Sequence, residues 1–258
     1  MKITLKDGSV REYSEPMTVN DIAFDISGGL GRAACAGEID GEVVDLRTTV
    51  DKDCNLNILT FKDEAGKAAY RHTTSHVLAE AIKNLYPDVK LAIGPSVDNG
   101  FYYDFDIETP FNNEDLVKIE EEMNKIIKED ILLERMVVSR EEALKLMEGR
   151  GEPYKVELIK DLPEGETISL YKQGNFIDLC RGPHLLSTKG IKDFKLTSVA
   201  GAYWRGNEKN KMLQRVYGVA FANKDILKSY LNNIEEAKKR DHRRLGKELK
   251  LFTFVDEG

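Results

Sequence analysis

The stretch from residue 63 to residue 86 constrains the fold more than any other. Ala69, Val77, Leu78, Ala81, Ile82 and Leu85 recur at three- and four-residue spacings, and Pro87 follows. That pattern predicts one long helix from about Asp63 to Tyr86, stopped by the proline. His72 and His76 lie four apart on it. Their imidazoles then project from one face, about 6 Å apart. Such a pair suits two ligands of one metal ion, or two groups handling one water. The blander reading is a pair of surface or core-edge histidines.

A second pair follows in Asp178-Leu-Cys-Arg-Gly-Pro-His184, which reads as a strand end entering a Gly-Pro turn. Three of the four histidines and one of the three cysteines therefore sit in two compact pairs. His72, His76, Cys180 and His184 make a plausible tetrahedral zinc set, or a catalytic pocket of the same shape. Their spacing is not that of a Cys2His2 finger. The alternative is a buried cysteine with histidines satisfied by backbone. Asp178 precedes Cys180 by two residues and so faces the same side of a strand. It could orient an imidazole or a hydroxyl, or simply end the strand. Lys155, in Glu-Pro-Tyr-Lys, reads by itself as a solvated lysine. Gly94 and Tyr103 fall in a hairpin signalled by Asn99-Gly100, and the Phe101-Tyr-Tyr-Asp-Phe run suits a packed core better than a base-stacking surface.

Around these residues the chain divides into three parts. Residues 1–61 read as strand, Asp7-Gly8 turn, strand, then a helix capped by Thr18, then short strands near 33–38, 42–45 and 56–60. That order suits a β-grasp fold, and with six basic against eleven acidic residues the unit is acidic. Residues 62–222 read as an α+β domain around an antiparallel sheet. It has helices near 113–130 and 139–149, the second opened by a Ser139-Arg-Glu-Glu142 capping box, a strand near 132–138 and short β-rich runs from 168 to 219. Residues 223–250 predict a last helix whose apolar side, Ile226, Leu227, Tyr230, Leu231 and Ile234, fades after Ala237. Residues 238–250 carry seven Lys or Arg against two acids, a local +5, which is a solvated helix face or a stretch near a phosphate backbone. The chain ends without a closing element, so a fragment of a longer protein is expected.

Composition removes several classes of function. A net charge of −7 argues against a surface coated with basic patches for nucleic acid. No window approaches the roughly 18 consecutive apolar residues of a membrane span, and the N-terminus lacks the apolar core of a signal peptide. Three scattered cysteines form no disulfide framework, which points to a reducing cytoplasm.

Several motifs together resemble one family. Tyr70-Arg-His-Thr-Thr-Ser-His76 with Val77-Leu-Ala-Glu-Ala81, Ile93-Gly-Pro-Ser96, Gly100-Phe-Tyr-Tyr-Asp104, Asp178 to His184 and Gly201-Ala-Tyr-Trp-Arg-Gly206 resemble the N-terminal part of bacterial threonyl-tRNA synthetases, as does Lys239 to Leu249. The resemblance covers essentially the whole chain. It implies a ubiquitin-like TGS domain at 1–61, an editing domain at 62–222 shared with alanyl-tRNA editing proteins, and, at 223–258, a linker helix and the start of a missing catalytic domain. It further implies hydrolysis of serine misattached to threonine tRNA. His72, His76, Cys180 and His184 would line the pocket, with His72 activating or positioning water and Asp178 nearby. Lys155 would orient the ester or stabilise developing charge, and Gly94 and Tyr103 would border the substrate. The alanyl relatives hold zinc in a similar quartet, whereas threonyl enzymes are expected to edit without it. ATP, magnesium and a threonine-selecting zinc belong to the missing domain. The full-length enzyme is expected to be a homodimer, and this piece a monomer. Two other readings remain open: a non-catalytic module gripping the tRNA acceptor arm, and a zinc hydrolase of another substrate.

Overall fold

A computed structural model describes residues 1–240. In chain order the N-terminal unit comprises β1 (Lys2–Leu5), β2 (Val10–Glu12), β3 (Met17–Thr18), α1 (Val19–Ile26), α2 (Gly28–Ala33), β4 (Ala34–Ile39), β5 (Glu42–Val44), β6 (Thr49–Val50) and β7 (Cys54–Thr60). Five of these strands form one sheet in the order β2-β1-β7-β4-β5, in which β1 and β7 run parallel and the other neighbours antiparallel. This is the β-grasp arrangement. Thr18 caps α1 as expected, its hydroxyl accepting the Asp21 N–H. Ile3, Val19, Ile22, Leu46, Leu56 and Ile58 fill the space between helix and sheet. The sequence does not announce α2, because its three glycines are poor helix formers; the Ser27 hydroxyl opens it by accepting the Leu30 N–H.

The second part begins with α3 (Glu64–Leu85), followed by β8 (Lys90–Leu91), β9 (Ser96–Val97), β10 (Gly100–Asp106), α4 (Asn113–Lys128), β11 (Leu133–Val138), α5 (Arg140–Gly149), α6 (Pro153–Asp161), β12 (Ile168–Gln173), β13 (Phe176–Leu179), β14 (Asp193–Tyr203), β15 (Met212–Phe221) and α7 (Lys224–Lys239). The architecture is α+β, with antiparallel strands throughout this part. Here the expectation of one sheet needs correction. There are two: β14-β15-β10-β8, with β9 added to β10, and a separate three-stranded β11-β12-β13. The runs expected to be short include two long strands, β14 of 11 residues and β15 of 10, which pair along their length across a bulge between Leu196 and Ser198.

Helix α3 lies at the centre. Its apolar residues Val77, Leu78, Ala81 and Ile82 pack with Phe101, Tyr103 and Phe105 of β10 and with Ile119 and Met123 of α4. Burial is not confined to that stripe. Arg71, Thr73, Thr74, Ser75, His76 and Glu80 are buried as well, while Leu85, expected inside, is exposed. A helix covered on every side must satisfy its polar side chains internally: Thr73 and Thr74 donate to Ala69 O and Tyr70 O of their own helix, Ser75 to Gly94 O, and Glu80 accepts from Gln173. Helix α4 follows expectation, burying Leu116, Ile119, Met123 and Ile126, with Ile127 half-buried. In α7, Leu227 packs on Val219 and Phe221, but Ile226 faces solvent. The basic stretch expected beyond Arg240 lies outside the described residues.

Candidate active site

The two pairs predicted from spacing converge. The potential ligand atoms of His72, His76, Cys180 and His184 all lie within 4.8 Å of one another. The Cys180 Sγ is 3.3 Å from His72 Nε2 and 3.1 Å from His184 Nε2. The His184 ring centroid stands 4.3 Å from that of His72 and 4.2 Å from that of His76. Helix α3 supplies the first two imidazoles from one face, as the four-residue spacing requires. The residue just after β13 is Cys180, and the loop that it opens turns through Gly182-Pro183 to bring His184 back beneath α3.

Hydrogen bonds around Thr73 fix the His184 tautomer. The Thr73 hydroxyl donates to Ala69 O at 2.8 Å and accepts the Leu185 N–H at 2.9 Å. Its oxygen is 3.2 Å from His184 Nδ1. Since its one hydrogen is already given away, Nδ1–H must be the donor there, leaving the Nε2 lone pair directed at the Cys180 sulfur.

Asp178 sits behind this cluster, 2% exposed. Its Oδ1 is 2.6 Å from Lys155 Nζ, and its Oδ2 accepts the Tyr103 hydroxyl at 2.6 Å and lies 3.7 Å from His76 Nε2. Burial pushes the carboxyl up, but Lys155, His76 and Tyr103 together outweigh it, so Asp178 titrates below the ordinary aspartate range. Burial holds the histidines neutral. It drives His72 down to about 4 and His76 to about 3 against the opposing pull of Asp178, and it also depresses His184. Burial pushes the Cys180 thiol up to about 12. At neutral pH the cluster therefore holds neutral imidazoles, a thiol and one buried ion pair.

Lys155 is no solvated lysine. It lies in α6, which the sequence did not reveal, and is 3% exposed. Glu152, at the start of that helix, accepts Lys83 Nζ at 2.6 Å and the Leu91 N–H at 2.7 Å. These bonds tie α6 to α3 and β8, and Pro153 at the first helical position starts the turn that carries Lys155 inward. Tyr103 is fully buried, and its ring packs so tightly on Gly94 that a Cβ there would overlap it. The Ser75 hydroxyl donates to Gly94 O at 2.7 Å, which locks that loop to α3. All eight residues singled out in the sequence are thus brought together. Thr73, Tyr171, Asp45 and Arg47 were missed, although each bonds or packs against the loop that carries His184.

The quartet could hold a metal ion. Three imidazoles and a thiol are a zinc-type donor set, and the buried His76 Nδ1 has no hydrogen-bond partner among the described residues. The donor set and this orphaned nitrogen both fit such an ion.

Comparison with known proteins places this chain in a class. Residues 1–60 match the TGS domain, and residues 168–217 match the Threonyl and Alanyl tRNA synthetase second additional domain. The whole chain is 67% identical to 41% of the threonine–tRNA ligase of Acetivibrio thermocellus, 61% identical to 40% of that of Caldanaerobacter subterraneus subsp. tengcongensis, and 60% identical to 40% of that of Clostridium acetobutylicum. The chain corresponds to the N-terminal TGS and editing region of the threonyl-tRNA synthetase family, and spans about two-fifths of the length of these relatives. Among the described residues no helix is long and apolar enough to cross a membrane.

Proposed function

We propose that this chain hydrolyses the ester of serine misattached to threonine tRNA, as the proofreading part of a cytoplasmic threonine–tRNA ligase that itself joins threonine to tRNA(Thr) with ATP. The observation that carries this reading is the quartet set beside the buried Lys155–Asp178 pair, in a chain of this family. A site that only gripped tRNA would have no use for four neutral nucleophile-handling groups in a desolvated pocket. Serine lacks one methyl of threonine, a difference worth only about 1–3 kcal/mol to a binding pocket, so a second site that accepts the smaller amino acid improves fidelity.

In this reading a water adds to the ester carbonyl and the ester C–O bond breaks; one proton of the water passes to the departing tRNA terminal oxygen, the other is released to solvent, and serine departs as a carboxylate. His72 holds the attacking water through a ring nitrogen. A group titrating near 4 is a weak base, so His72 acts chiefly by orientation rather than by full proton abstraction. Lys155, steadied by Asp178, stabilises the negative charge that develops on the carbonyl oxygen. His76, Cys180 and His184 form the wall that limits side-chain size, with Gly94 and Tyr103 on the border. A zinc ion, if bound, would be held by His72, His76, Cys180 and His184 and would supply Lewis-acid polarisation. The route above does not require it.

The test is direct. The purified chain is mixed with seryl-tRNA(Thr) and threonyl-tRNA(Thr), and release of each amino acid is followed. The expected result is serine release faster by about tenfold or more, the selectivity one methyl can supply. Equal rates, or no release of serine, overturn the reading.

A further inference from the structure

Asp45 and Arg47 reach from the N-terminal unit to the site. In Asp45-Leu-Arg47, Leu46 is buried in the N-terminal core while its neighbours face the other way. Asp45 and Arg47 form a short turn of their own. The Asp45 Oδ1 accepts the Arg47 N–H at 2.9 Å and its Nη1 at 2.8 Å. The rest of the guanidinium reaches backbone carbonyls of the other part. Nε donates to Leu133 O at 2.7 Å, Nη2 to Leu185 O at 2.9 Å and Leu186 O at 3.0 Å, and Nη1 lies 3.4 Å from His184 O. Asp45 Oδ2 accepts the Tyr171 hydroxyl at 2.8 Å and faces the His184 N–H at 3.3 Å. The Tyr171 ring in turn packs edge-on against His184, with centroids 4.4 Å apart.

We propose that Asp45 and Arg47 are positioning residues of the candidate site, holding the loop that carries Cys180 and His184 against α3. The proposal rests on the deacylation reading above. A five-donor planar fork that gives three of its N–H groups to the His184, Leu185 and Leu186 carbonyls, and the other two to Leu133 O of β11 and to Asp45, fixes that loop's path in a way a lysine could not. On the opposite side Thr73 accepts the Leu185 N–H. The loop is thus pinned from both faces, by α3 above and the N-terminal unit below, and His184 lies between the two pins. An interface that merely joined two units would have no reason to take hold of His184's own backbone N–H and carbonyl.

The experiment uses the full chain with Arg47→Ala, Arg47→Lys and Tyr171→Phe, well below their unfolding temperatures and with circular dichroism compared first. Two quantities are read: alkylation of Cys180 by iodoacetamide, resolved by peptide mass spectrometry with Cys35 as the internal control, and kcat and KM for seryl-tRNA(Thr) hydrolysis. In Arg47→Ala, Cys180 alkylation should rise by about tenfold as the loop opens locally while Cys35 stays unchanged. kcat should fall by about 10- to 100-fold with KM changed far less. Arg47→Lys should recover only part of both effects. If Arg47→Ala does not fold, Tyr171→Phe, which removes a single oxygen, should still move both readouts in the same direction. Folded variants whose Cys180 alkylation matches the native chain overturn the proposal. If the native chain hydrolyses no seryl-tRNA, the deacylase reading fails, and the alkylation rates still decide whether the clamp exists.

Discussion

Lys155 and Asp178 make the most demanding pair of side chains in the molecule. They meet at 2.6 Å with almost no solvent, so removing the lysine strands a buried carboxylate. Lys155→Ala should therefore lose about 3–5 kcal/mol of stability, read from urea unfolding, and a Lys155→Met, Asp178→Leu double variant should lose less. For catalysis, His72→Ala and Lys155→Ala should each cut seryl-tRNA hydrolysis by about 100-fold or more at a temperature where both remain folded. Unchanged turnover in both would remove their assigned roles. A different residue gives a pH signature. Burial pushes the Glu80 carboxyl up to about 7, against the stabilising hydrogen bond from Gln173. The buried Gln173 Oε1 has no partner among the described residues, and a protonated Glu80 could donate to it. The native state thus binds a proton that the unfolded chain releases above about 4.5. The resulting stability is complete below that value and is lost as pH rises through 7. Glu80→Gln keeps the donor without the charge, so it should stabilise the protein by about 1–3 kcal/mol at pH 8 and by little at pH 4.5, measured by denaturant melts at both. At this scale the sequence was partly legible. His72, His76, Cys180 and His184 stood out because rare residue types fell at short spacings. Asp45 and Arg47 could not, because their partners lie 86 to 139 positions away and their own neighbours carry no signal.

Among the elements, α3 sets the terms for its neighbours. Its first turn presses on the end of β7, where a Cβ on Gly66 would overlap the Thr60 carbonyl. Helix propensity alone favours Gly66→Ala by about 1 kcal/mol. Packing should reverse the sign, so the variant should lose about 1–3 kcal/mol in thermal unfolding. A stabilised variant would mean that this contact is looser than described. The elements the sequence missed were missed for different reasons. Helix α6 is a nine-residue segment between turns, without a capping side chain, held by the tertiary bonds of Glu152 rather than by its own pattern. Strands β14 and β15 looked short because glycines and polar residues interrupt any clean alternation, as in Lys195 to Ala202. Pairing across their whole length overrides that weak local preference. Where a pattern and a cap agreed, as at α1 and α5, expectation and structure coincide to within one or two residues.

The N-terminal unit and the rest of the molecule interlock through Arg47 and Asp45, and through Leu186, which reaches out of the site loop to pack on the N-terminal core. Heating should therefore melt the described parts together. Calorimetry should show one transition with matching calorimetric and van't Hoff enthalpies. Two well-separated peaks would contradict the interlock. Arg47→Ala should split or broaden that transition. The same wiring has a consequence for the newborn protein. His72 and Cys180 are 108 residues apart in the chain. At about 5–20 residues per second, the imidazoles of α3 leave the ribosome roughly 5–20 s before the thiol that completes their pocket. The N-terminal sheet can close in that interval, its Asp45 and Arg47 already in place. Synthesis thus lays down the mould for the loop before the loop itself exists.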